Sequence, residues 1–262
     1  MIESRSFVQF EHLLRYPELV HCATKKPLNF SKRNQPEEIL RKNYRMLLEE
    51  LDLPQETRIV RPIQTHTDSV LLVSEEVLEH PEMLQDVDGL VTNLRNIALV
   101  VSTADCQGIL LYDPVQKVIG SVHSGWRGTA AGILKNTVEL MKTRCGCRTE
   151  NLLVGFCPSI LPCCFEVEED VRQIFLESFG RESKLLPRKI TEFIRTGEIR
   201  NGKQKYNIDT VGINKQILLG MGVPEANIEL SGICTRCTPE KYHSFRAEGS
   251  AYGMNLALIM MR

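Results

Sequence analysis

Long apolar runs are absent from this sequence: no uncharged stretch approaches the roughly 18 residues that a membrane helix needs. The beginning of the chain, "MIESRSFVQFEHLLRYPEL", mixes charges of both signs with single apolar residues. It has no apolar core of the signal-peptide kind, so a cytoplasmic protein is expected. An excess of either charge is also missing, with 32 Lys and Arg against 33 Asp and Glu. No overall field therefore favours a nucleic acid or membrane partner, and a small molecule or a local anion fits better. Internal repeats, low-complexity tracts and Pro/Ser linkers are lacking too, which predicts one mixed α/β unit over residues 1–262. Tryptophan occurs once and histidine six times. Cysteine, by contrast, is plentiful: nine is an odd count that excludes complete disulfide pairing and reads as free thiols in a reducing compartment.

The scarce residues are not scattered. "TADCQGILLYDP", residues 103–114, is followed closely by "GSVHSGWRGTAAG", residues 120–132, so Cys106, His123, Trp126 and Arg127 fall close together. The surrounding segments "TRIVRPIQTH", "SVLLVS", "DGLVTN", "IALVVSTADC", "QGILLYDP" and "KVIGSVHSGWRG" are short aliphatic runs bounded by Asp, Asn, Gly and Pro, and predict successive strands. "PEEILRKNYRMLLEELDL" predicts a helix with Ile39, Tyr44, Leu47, Leu48 and Leu51 on its apolar face. "GTAAGILKNTVELMKTRCG" predicts another, buried through Ile133, Leu134, Val138 and Met141 and stopped at Gly146. In the second half, "ENLLVGFCPSI", "NIELSGICT" and "MNLALIMMR" predict strands, and "VEEDVRQIFLESFG" and "TVGINKQILLGMG" predict helices. "SKLLPRKITEFIRTGEIRNGKQKYNID" reads as a hairpin.

Three side chains of metal-ligand type end apolar runs: His66, Cys106 and His123. Two imidazoles and a thiolate suit Zn²⁺ with its fourth position open, the arrangement of a catalytic rather than a structural zinc. Each residue taken singly also reads as an ordinary hydrogen-bonded strand end. Asp105, directly before Cys106, offers a carboxylate for orientation or proton transfer. Gly125, Arg127 and Gly128 form a turn entering a helix, which reads equally as an anion seat or as turn chemistry alone. Cys234 and Cys237 have knuckle spacing but no second C-x-x-C, and Cys145, Cys147, Cys163 and Cys164 read as buried or incidental thiols.

With these residues in view, the ordered segments "QTHTDSV", "DVDGLVTN", "STADCQGILLYDP", "GSVHSGWRGTAAGIL", "CPSILPCCFEV" and "CTRCTPEKYHSFR" resemble the YfiH-type family, long labelled multicopper polyphenol oxidase or laccase-domain proteins. The resemblance is strong over roughly residues 60–262 and loose before that. It implies an α+β fold layered α/β/β/α, shared with a class of Cys-His toxin deamidases, and a zinc held by His66, Cys106 and His123. The implied activity is phosphorolysis of adenosine, inosine, guanosine or methylthioadenosine, together with deamination of adenosine. Purine nucleoside and phosphate are the implied small-molecule partners. The copper label conflicts with the composition, because six histidines cannot furnish a trinuclear cluster plus an electron-entry copper, although a single copper at this donor set is compatible with it. The chain also departs from the family pattern. Thr24-Lys25 is all that remains of an N-terminal T-R-x-G-G-x-S motif, Ala247 follows Arg246 where a second arginine is usual, and Met254 stands at a common arginine position.

On this resemblance Cys106, His123 and Asp105 are the candidate catalytic groups. Arg127 and Arg246 would bind phosphate, and Gln64, sharing a face with His66 if the segment is extended, would bind the base. Two other readings stay open. One is a metal-free amidohydrolase with Cys106 as nucleophile and His123 as base. The other is a non-catalytic zinc or thiol redox sensor combining Cys106 with Cys157, Cys163 or Cys164.

Overall fold

The computed structural model describes residues 1–180 and 186–262. Two six-stranded mixed sheets dominate it. The first runs, in spatial order, Ile2–Glu3, Phe7–Gln9, Leu19–Thr24, Asn255–Met261, Ile97–Thr103 and Arg58–Val60. The second runs Ile228–Leu230, Leu153–Phe156, Gln107–Asp113, Val118–Ser124, Gly89–Thr92 and Val70–Leu72.

The continuous apolar runs in the sequence follow from how these sheets are covered. Strands Ile97–Thr103, Gln107–Asp113, Val118–Ser124 and Asn255–Met261 are buried at every position. Alternate side chains serve different layers, as the two-residue period of a strand requires. Leu99, Val101, Ala257 and Ile259 of the first sheet meet Leu110, Tyr112 and Ile119 of the second in a central core. Ala98, Val100, Leu256 and Leu258 point the other way, onto Leu47, Leu48 and Leu51 at the end of helix Glu37–Glu50. On the far side, Ile109, Leu111 and Val122 pack against Leu134, Val138 and Met141 of helix Ile133–Cys145 and Leu218 of helix Thr210–Gly220. The stack is therefore α/β/β/α, as expected. A three-stranded sheet, Glu166–Val167, Lys203–Ile208 and Ile194–Arg200, lies beside it with helix Glu169–Ser178 over its own core of Phe175, Ile208 and Ile217.

Several sequence expectations need correction. The helix over residues 128–146 is two helices, Trp126–Ala131 and Ile133–Cys145, because Gly132 adopts φ 87° and breaks the repeat. Ile39 is exposed, and its place on the buried face of helix Glu37–Glu50 is taken by Asn43, whose amide donates to the Asn29 carbonyl at 2.6 Å. Strand Leu19–Thr24 went unrecognised because His21 and Thr24 interrupt its apolar run, yet all six of its residues are buried. The hairpin is present as Ile194–Arg200 paired antiparallel with Lys203–Ile208; the beginning of its sequence segment, residues 183–185, lies outside the described residues.

Candidate active site

Chain crossings between the sheets assemble the site. Strand Ile97–Thr103 belongs to the first sheet and Gln107–Asp113 to the second, so residues 104–106 carry the chain from one layer to the other. Asp105 takes a left-handed conformation at this crossing, with φ 84°, and sends Cys106 to the shared end of both sheets. His123 arrives from strand Val118–Ser124, where it is registered opposite Gly108. His66 comes from the irregular segment after Arg58–Val60 and is itself left-handed, at φ 66°.

The ligand atoms of His66, Cys106 and His123 all lie within 4.8 Å of one another, and Cys106 Sγ is 3.8 Å from His66 Nε2. No other histidine joins a metal-competent group among the described residues. His12 bonds to Glu229, His21 accepts from the Phe10 N–H, His80 lies beside Glu82, and His243 bonds to the Leu28 carbonyl. This dispersal leaves no imidazole set for a multinuclear copper centre, and the structure agrees with the composition on that point.

Asp88 holds the site from behind, a role that the sequence alone did not reveal. It is fully buried and accepts from His123 Nδ1 at 2.7 Å, from the backbone N–H of Thr65, His66 and Thr67 at 3.3, 3.2 and 2.7 Å, and from the Thr67 hydroxyl at 2.8 Å. One carboxylate thus engages His123 through Nδ1, leaving Nε2 for the Cys106 side, and clamps the backbone that carries His66. Burial works to raise the Asp88 carboxyl, but the hydrogen bonds from His123 and Thr67 outweigh it and hold the group at about 2. Burial likewise opposes ionisation of Cys106, yet the neighbouring imidazoles, His123 above all, bring the thiol down to about 6. His123 is pulled the other way: despite burial, Cys106 and Asp88 raise it to about 9. Each group's charge drives the other's shift, and the opposite directions favour a thiolate–imidazolium pairing. Gly125 presses on this group, since a Cβ there would lie 2.7 Å from His66 Cδ2 and 3.3 Å from Cys106 Sγ.

The donor set opens into a cavity of about 560 Å³. Four cationic side chains, Lys32, Arg61, Arg127 and Arg246, line it. Partial burial and then the Arg61 guanidinium hold the Lys32 ammonium below the usual lysine range. Arg127 lies with its guanidinium carbon 4.2 Å from the centroid of the Trp126 ring. Arg246 donates to the Glu166 carbonyl at 3.1 Å. Phe245 and Tyr252, ring centroids 5.2 Å apart and edge to face, supply an aromatic wall. Lys25, the remnant of the N-terminal basic motif, pairs instead with Glu3. The N-terminal basic contribution to the cavity therefore comes from Lys32, which sequence reading missed.

Gln64 and Asp105 also line the cavity, but their polar atoms are engaged. Gln64 donates to the Ser102 carbonyl at 2.8 Å and accepts from the Ser102 N–H at 2.8 Å, pinning the segment to the sheet. Its segment is not an extended strand, so the shared-face argument with His66 does not hold. Asp105 accepts from the Thr235 hydroxyl and the Arg246 backbone N–H, both at 2.7 Å. Among the thiols, Cys106 groups with the two histidines, whereas Cys163 and Cys164 group with Cys234 and Cys237 and Cys157 lies in the central core. Among the described residues, Cys106 therefore shares its metal-competent group with imidazoles and not with other thiols.

Comparison with known proteins agrees with this architecture. The chain is 31% identical over 276 residues to a purine nucleoside phosphorylase of Bacteroides thetaiotaomicron, covering 99% of this chain and 97% of that protein. It is 34% identical over 196 residues to adenosine deaminase RL5 of an unknown prokaryotic organism, covering 73% and 70%. The crystal structure of YlmD from Geobacillus stearothermophilus superposes with a TM-score of 0.85 at 27% identity over 100% of this chain and 98% of that one. The Bacillus licheniformis protein YfiH has the same fold, with a TM-score of 0.85 at 24% identity over 99% and 98%. The family model described as multi-copper polyphenol oxidoreductase laccase matches residues 23–262, well into the N-terminal part where the sequence resemblance was loose, and the chain belongs to that family.

Proposed function

We propose that the protein is a zinc-dependent enzyme of purine nucleosides that cleaves adenosine, inosine, guanosine or methylthioadenosine with phosphate and also deaminates adenosine. The observation that carries this reading is one cavity that sets the His66–Cys106–His123 donors beside Lys32, Arg61, Arg127 and Arg246. The names of the phosphorylase and deaminase relatives support the same substrate class.

The donor set fits the metal. A tetrahedral zinc joining a sulfur and an imidazole nitrogen needs them roughly 3.6 Å apart, and Cys106 Sγ and His66 Nε2 are separated by 3.8 Å. Zinc bound there supplies the positive charge that lowers the pKa of water and stabilises a departing purine. The protein's own groups do the rest. Asp88 fixes the His123 tautomer and the His66 backbone, so the donors are oriented before any ligand arrives. Arg127 and Arg246 hold phosphate, with Lys32 and Arg61 adding charge. As phosphate oxygen bonds to C1′, the C1′–N9 bond breaks and the purine leaves with the electron pair. Trp126 and Phe245 offer aromatic faces to the base. Asp105 acts as a positioning group: its carboxylate holds the backbone N–H of Arg246, and Gln64 similarly braces the cavity wall. Incubating the metal-loaded protein with adenosine, with and without phosphate, tests the reading. Adenine formed only with phosphate indicates phosphorolysis, inosine indicates deamination, and neither product refutes the assignment.

The thiolate–imidazolium pairing of Cys106 and His123 also favours a second reading, a metal-free amidohydrolase with Cys106 as nucleophile. Activity that survives a strong chelator but is lost on alkylation of Cys106 would select it.

A further inference from the structure

A second thiol cluster lies outside this site. Cys163 and Cys164 follow strand Leu153–Phe156, and Cys234 and Cys237 follow strand Ile228–Leu230. Those two strands pair in parallel, with Val154 opposite Ile228 and Phe156 opposite Leu230, so their following loops leave the same end of the sheet together. A further bridge between Ser159 and Cys234 keeps the loops in register. Vicinal cysteines and a C-x-x-C about 70 residues apart in sequence thereby become one group, whose four sulfurs all lie within 4.8 Å of one another.

We infer that Cys163, Cys164, Cys234 and Cys237 form a tetrathiolate site for a soft divalent cation of the zinc type, structural in role and separate from the His66–Cys106–His123 centre. Geometry is the first argument. Sulfurs around zinc at about 2.3 Å stand roughly 3.8 Å apart along the edges of a tetrahedron, and Cys163 and Cys164 lie 3.7 and 3.4 Å from Cys237. These separations are far beyond a disulfide bond of about 2.05 Å. The surrounding donors are the second argument. The Leu161 N–H points at Cys234 Sγ at 3.5 Å, Arg236 Nη1 lies 3.5 Å from Cys164 Sγ, and the Cys237 N–H closes the C-x-x-C turn on the Cys234 carbonyl at 3.1 Å. The Leu161 N–H and the Arg236 guanidinium, both directed at sulfur, stabilise thiolates, the form that binds metal.

The placement suggests what such an ion does. Cys164 precedes Phe165, which lines the nucleoside cavity, and Thr235 lies between Cys234 and Cys237 and bonds to Asp105. A cation there would stiffen the wall that carries Arg246.

The test uses the full-length chain with Cys106→Ala, which removes the thiolate of the first site, kept under reductant and titrated with Co²⁺. One equivalent should bind with thiolate-to-cobalt charge-transfer absorption and the ligand-field bands of a tetrahedral ion. Adding Cys163→Ser and Cys237→Ser, both at exposed positions, should abolish those bands. In the Cys106→Ala chain itself, Zn²⁺ should also protect the two exposed thiols of the cluster, Cys163 and Cys237, from an alkylating reagent, a readout that does not depend on how the serine variants fold. A Cys106→Ala chain that takes up no cobalt and gains no thiol protection from zinc overturns the inference. So does a cobalt spectrum that survives the serine substitutions.

Discussion

Asp88 Oδ1 and His123 Nδ1 are 2.7 Å apart in a fully buried contact, and the same carboxylate gathers the backbone N–H groups of Thr65, His66 and Thr67. A residue that does not line the cavity therefore sets the orientation of two of the three proposed metal donors. Such carboxylate–histidine contacts govern affinity as well as geometry.

Asp88→Asn keeps the size of the side chain but replaces one acceptor oxygen with a donor facing N–H groups. Metal affinity should fall about 10- to 100-fold, measured by competition against a chromogenic chelator, with far-UV circular dichroism unchanged. Unaltered affinity would mean that His123 is oriented by something other than Asp88.

Gly125→Ala tests the close approach directly. The backbone at φ −74°, ψ 171° accepts alanine, but the new Cβ would meet His66 Cδ2 at 2.7 Å. The metal-free protein should unfold at nearly the wild-type denaturant concentration while its metal affinity drops tenfold or more. Wild-type affinity would show that His66 swings aside freely and contributes little as a ligand.

Arg127→Met and Arg246→Met separate the two chemistries. A hydrogen bond to a charged group is worth about 1.5–3 kcal/mol, so each variant should raise the KM for phosphate by roughly ten- to a hundredfold. Deamination of adenosine, which uses no phosphate, should persist in both. Parallel loss of both activities would place the arginines in nucleoside binding or in the fold instead.

His21 predicts a pH dependence of stability. Burial holds this imidazole at about 4 in the folded protein against 6.5 for an ordinary histidine, and its Nε2 accepts from the Phe10 N–H at 2.8 Å. The unfolded chain takes up a proton that the folded one refuses, so stability is lost as pH falls from about 6.5 toward 4. The loss from this group amounts to at most about 3 kcal/mol. Urea unfolding at a series of pH values should show a shallower acid decline for His21→Gln than for wild type; identical slopes would remove His21 as the cause.

The parts of this molecule that were legible in the sequence share a physical reason. Strands Ile97–Thr103, Gln107–Asp113 and Val118–Ser124 are buried on both faces, between a sheet and a helix, and so spell near-continuous apolar runs whose polar ends stand out. Cys106 and His123 were visible because they terminate those runs. Asp88 sits within the segment "DVDGLVTN", but nothing local distinguishes a carboxylate that will bond to a strand 35 residues away from one that faces water. Lys32 reaches the cavity from a segment with no apolar pattern of its own, and Arg61 from just beyond strand Arg58–Val60, where nothing local marks it as a cavity residue. The face that Gln64 was expected to share with His66 required an extended chain, whereas His66 turns left-handed on the Asp88 clamp. The pairing of Cys163 and Cys164 with Cys234 and Cys237 depends on a parallel strand contact, which leaves no trace in local spacing.

The most direct test of the central claim is zinc content and adenosine turnover measured together on wild type and Cys106→Ala. The account predicts that the variant loses one equivalent of zinc and, with it, both adenine formation in phosphate and inosine formation. A variant that has lost that zinc and still turns over nucleoside at the wild-type rate would contradict it.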